Sequence, residues 1–63
     1  MNQREELIVD TLKQKGPCTM DGLLYALMVE QDRRSETKKI IRSLLRRHWI
    51  GVTTDWLLFV PAD

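Results

Sequence analysis

The chain has a single cysteine, Cys18, so no internal disulfide can staple it. It has a single histidine, His48. One Cys and one His fall short of the four ligands a structural zinc site needs. Asp10, Asp21 and Asp32 do not stand at metal-ligand spacing. Only three glycines and two prolines interrupt 63 residues, and no Gly-rich phosphate loop is present. No apolar run approaches the roughly 20 residues that span a bilayer. There is no low-complexity tract, repeat or linker. We therefore expect one domain over residues 1–63, with no cofactor, metal, membrane or small-molecule partner. A lone thiol and no leader-like stretch point to the cytoplasm. Cys18 and His48 lack a third group to form a catalytic site, and no paired carboxylates are visible, so no enzyme is expected. Cys18 reads instead as a small buried or strand-edge side chain.

What is there is unevenly spread charge. The formal net charge is only +1. Residues 33–47 nevertheless hold seven cations against Glu36 alone, a net +6. The rest of the chain holds three cations and eight anions, a net −5. Local charge is the better guide to partners than the total.

Four segments follow from periodicity and punctuation. Residues 3–15 read as a helix with Leu7, Ile8, Thr11 and Leu12 on one side and Val9 at its edge. Its acids precede its lysines, which suits the helix dipole. Gly16-Pro17 stops it. Thr19 is an N-cap candidate for a second helix over about residues 20–29, with Asp21 in its first turn. That helix is apolar almost all round and reads as the central one, with Tyr25 and Val29 possible leftovers for a partner chain. Glu30 to Arg34 is a polar turn. Ser35 is expected to cap a third helix over about residues 36–47. At about 100° per residue, Thr37, Ile40, Ile41, Leu44, Leu45 and His48 share an arc of about 140°. Lys38, Lys39, Arg42 and Arg46 fill the next 100° or so. Residues 49–60 change to strand-prone composition, with Thr54-Asp55 as a tight turn between strands of about 49–53 and 56–60. At least one of Trp49 and Trp56 is expected to pack this hairpin onto the helices; the alternative is stacking on bases.

The resulting fold class is α+β, mainly α. Three short helices, the last one basic, followed by a hairpin wing resemble the winged helix-turn-helix DNA-binding superfamily over residues 4–60. "GPCTMDGLLYAL" resembles that family's extended lead-in and second helix. "SETKKIIRSLLRRHWIGV" resembles its recognition helix running into the first wing strand. The resemblance places Thr37, Ile41, Leu44 and Ile50 in the core and turns Lys38, Lys39 and Arg42 toward DNA bases, with Ser35 assisting. Arg33, Arg34, Arg46 and Arg47 are then placed for phosphate. The family commonly has Gly where this chain has His48, a residue type that enters the left-handed region at modest cost. Its wing tip is often basic, whereas Asp55 here repels phosphate. The resemblance implies a double-stranded DNA-binding protein regulating transcription by occupancy. A homodimer on a two-fold site would double the contacts, and Tyr25, Val29, Leu45, Trp56 and Leu58 are candidates for its interface. The alternative is an interaction module of the same fold docking an acidic protein.

Overall fold

The computed structural model describes residues 2–61. In chain order these form α1 (Gln3–Lys15), α2 (Met20–Ala26), a single 3-10 turn (Gln31–Arg33), α3 (Arg34–Arg46), β1 (Gly51–Val52) and β2 (Leu58–Phe59). The strands pair antiparallel, Gly51 with Phe59 and Val52 with Leu58. The observed class is thus mainly helical with one small sheet.

The first helix has the limits that its punctuation predicts. Asn2 Oδ1 accepts the Glu5 N–H at 2.9 Å, and Glu5 and Glu6 sit in the first turn. Gly16 takes φ 85 and donates its N–H to the Leu12 carbonyl. The buried stripe is Ile8, Val9 and Leu12, whereas Leu7 is 59% exposed. The expected stripe was one position out of phase. Glu5 supplies the missing position three residues before Ile8, and its side chain is only 12% exposed.

Thr19 caps α2 as expected, its Oγ1 accepting the Gly22 N–H at 3.1 Å. The helix stops at Ala26, short of the expected residue 29. Val29 N–H donates to the Leu24 carbonyl and Met28 N–H to that of Tyr25. This closure holds Met28 at φ 57 and folds Val29 back toward the core. Apolar composition continued past the helix because the closing turn is itself apolar.

The start of α3 departs from expectation. The helix begins at Arg34, directly after the 3-10 turn, so Ser35 lies inside the first turn and is not its cap. No described side chain caps this helix start; Thr37 Oγ1 donates back to the Arg33 carbonyl at 3.1 Å. The far end repeats the closure of α2: Trp49 N–H donates to the Leu44 carbonyl and His48 N–H to that of Leu45. His48 is left-handed at φ 65, the conformation its position predicts. A glycine there would relieve the Cβ contact that makes this region costly. His48→Gly is expected to stabilise the domain by about 1 kcal/mol, raising Tm by roughly 4–8 °C in a thermal melt.

The hairpin is shorter than expected, two residues per strand. Thr54-Asp55 does form the turn, but the loop around it spans Thr53 to Leu57. Thr53 Oγ1 accepts N–H groups from both Asp55 (3.2 Å) and Leu57 (3.1 Å). Trp56, at φ 66, donates its N–H to the Thr53 carbonyl. Gly51 admits no side chain without displacement, since a Cβ there would lie 2.6 Å from the Phe59 ring. β2 also bonds on its other edge: Leu58 N–H donates to the Cys18 carbonyl at 2.6 Å, and Cys18 N–H to that of Leu58 at 3.1 Å. The lead-in to α2 is thereby stitched to the hairpin.

The core is one cluster drawn from the three helices, β2 and the segments that carry Cys18 and Ile50, with Leu12, Leu23, Leu24, Ile41, Leu44 and Ile50 most enclosed. Thr37 is half-buried at its edge. Neither tryptophan packs the hairpin down, contrary to expectation: Trp49 is 49% and Trp56 76% exposed. Ile50 and Leu58 do that instead. Among the described residues no helix is long and apolar enough to cross a membrane.

Candidate nucleic-acid interface

The candidate surface is the outer face of α3. Burial of Ile41 and Leu44 fixes the rotation of this helix. At about 100° per residue, the face opposite them carries Ser35, Lys39, Arg42, Ser43 and Arg46, and all five are exposed. Lys39, Arg42 and Arg46 stand at i, i+3 and i+7, spanning about 10 Å along the axis. Among the described residues none of these three has a carboxylate within 4.0 Å. Like charges this close repel each other, and only an anionic partner or solvent relieves that. Ser43 was missed by sequence reasoning; its place on the strip follows from the same periodicity, and its hydroxyl type is a common partner for phosphate.

The other cations expected here are dispersed. Lys38 is half-buried on the shoulder of the strip, and Arg34 is half-buried on the side of α3 that carries Ile41. Arg34 Nε is enclosed and has no hydrogen-bond partner among the described residues. Arg33, in the 3-10 turn, lines a groove on a different side of α3. Arg47 is committed elsewhere: its Nη2 donates to Glu5 Oε2 at 2.6 Å, and its Nε to the Ser43 carbonyl at 3.4 Å. It therefore joins α3 to α1. Arg47→Gln is expected to lower stability by about 1 kcal/mol in chemical denaturation while leaving duplex affinity little changed.

The apolar interface candidates also divide. Tyr25 is 79% exposed, and Trp56 points outward as already described. Val29 and Leu45 are half-buried against the core, and Leu58 is buried at 3% exposure. Leu58 is thus withdrawn as a surface residue, because its side chain packs into the core cluster.

Cys18 is buried at the strand edge. Burial pushes its thiol pKa up, with Lys15 opposing in part. A protonated, enclosed thiol is a packing group and not a nucleophile. Among the described residues no three His, Cys, Asp or Glu side chains gather as a metal-binding group.

The chain matches no protein-family model, and neither the curated proteins nor the solved structures contain a significant relative.

Proposed function

We propose that this chain is a small winged helix-turn-helix protein that binds double-stranded DNA sequence-specifically, placing α3 in the major groove and regulating transcription by occupancy. The observation that carries the reading is the unpaired strip Lys39–Arg42–Arg46 on the outer face of α3. A helix of about 10–12 Å diameter matches a major groove about 12 Å wide. Lys39 and Ser35 lie on the N-terminal half of α3, the half that usually approaches base edges. Arg42 follows them and can grip guanine O6 and N7 with two parallel N–H donors. Arg46 and Ser43 lie farther along, toward phosphate. The order of three helices and an antiparallel hairpin, with Cys18 bonded to β2, supports the winged arrangement. Asp55 at the loop tip opposes phosphate, so α3 must supply most of the affinity.

A labelled random duplex titrated at two salt concentrations and read by fluorescence anisotropy tests the reading. Binding that weakens steeply with salt is the expected result, because neutralised phosphates release condensed counterions. A second reading is a docking module whose basic α3 face meets an acidic protein and whose hairpin supplies apolar contact. It is favoured by the exposure of Trp49, Val52 and Trp56 on and beside the hairpin. No duplex binding at low salt would transfer the assignment to that reading.

A further inference from the structure

A groove of about 460 Å³ lies between the first half of α1, the turn after α2 and the start of α3. Leu7 and Ile8 form one wall, Ile40 and Thr37 the other, and Met28 stands at its lip. Two of these positions are anomalous for a lone monomer. Met28 is 88% exposed, and Leu7 59%. Met28 is also held at φ 57, where glycine would cost less. An unstrained solvent-facing turn has no need of a protruding methionine there. The rim carries both signs in balance: Arg4 and Arg33 against Glu30 and Glu36. Arg4 and Glu36 approach only to 3.9 Å and remain well exposed, so their charges are open to other partners.

We propose that this groove is a two-fold interface between copies of this chain. A two-fold contact requires one patch to complement itself. This patch holds a flexible apolar knob, Met28, beside an apolar hollow. Each copy's Met28 enters the other's groove, and each copy's rim cations meet the other's rim anions. A partner of single charge sign would gain from half of the rim and be repelled by the other half. Burial of Met28 and Leu7 also supplements a core limited by chain length. The groove-lining positions of α3, Glu36, Thr37 and Ile40, sit roughly 130° around the helix from the strip Lys39–Arg42–Arg46. Pairing through the groove thus leaves the basic strips of both copies uncovered. The proposal stands on the groove alone and does not require that the strip bind DNA.

Sedimentation equilibrium of the full chain, without DNA, tests it. The wild type is expected to sediment at twice its 7.4 kDa mass as concentration rises. Met28→Gly removes the knob while easing the backbone, so its monomer folds at least as well. Its dimer affinity is expected to fall about tenfold or more. Leu7→Glu, at an exposed site, is expected to do the same. Arg4→Glu with Arg33→Glu makes the whole rim acidic and should also give monomers. A wild type that stays monomeric at millimolar concentration overturns the proposal. So does a dimer that survives Met28→Gly and Leu7→Glu, since its interface would then lie on another face.

Discussion

Replacing Lys39, Arg42 and Arg46 together by glutamine lowers affinity for random duplex DNA by about two to three orders of magnitude at 0.1 M salt. The size follows from counterion release. Each phosphate neutralised contributes about 0.9 to the slope of log affinity against log salt. Three lost contacts flatten that slope by about 2.7. Glutamine has nearly the helix propensity of lysine and arginine. All three side chains are exposed and unpaired, so the fold does not depend on them. Circular dichroism of the variant should therefore match the wild type while anisotropy shows the loss. An unchanged slope would remove the strip from the DNA-contacting surface. Arg42→Gln against Arg47→Gln is the charge-matched comparison: each deletes one charge, the first from the exposed strip and the second from a side chain at the end of α3 already held by Glu5. A larger loss for Arg42→Gln than for Arg47→Gln ties the effect to the outer face and not to net charge.

What could be read from the sequence was local in origin. The Thr19 cap, the Gly16 stop and the left-handed His48 each depend on residues within one turn of chain. The amphipathic division of α3 needs only its 3.6-residue period, because one side is rich in Ile and Leu and the other in cations. What could not be read came from contacts between distant segments. Arg47 looked like a phosphate ligand because Glu5, 42 residues earlier in the chain, is brought beside it only by packing of α1 on α3. That same pair explains why Leu7 is left outside: the stem of Glu5 takes up the stripe position. Sequence alone leads one to expect at least one of Trp49 and Trp56 to pack the hairpin onto the helices. The hairpin is anchored instead by Ile50, Leu58 and the backbone of Cys18, and the loop held by Thr53 turns Trp56 outward. Periodicity also failed after Ala26, where an apolar sequence continues but the backbone reverses its hand at Met28.

Leu44→Ala is expected to leave the domain largely unfolded at room temperature. The side chain is fully buried, on the face of α3 opposite the cationic strip. Truncating such a leucine removes its transfer free energy and leaves a cavity, at a cost of about 2–5 kcal/mol. A domain of this length without disulfide or metal rarely holds more than about 3–5 kcal/mol in total. The cost therefore matches the whole stability, and helical circular dichroism should collapse along with duplex binding. Leu7→Ala makes the same chemical change on α1. Leu7 is mostly exposed, so its effect on the monomer should stay within about 0.5 kcal/mol. A sequence-based choice of core would have ranked these two leucines together, and urea unfolding separates them. If Leu44→Ala unfolds while Leu7→Ala does not, the observed rotation of both helices is correct. The strip on α3 then faces outward for the same reason, since one rotation fixes what the helix buries and what it presents.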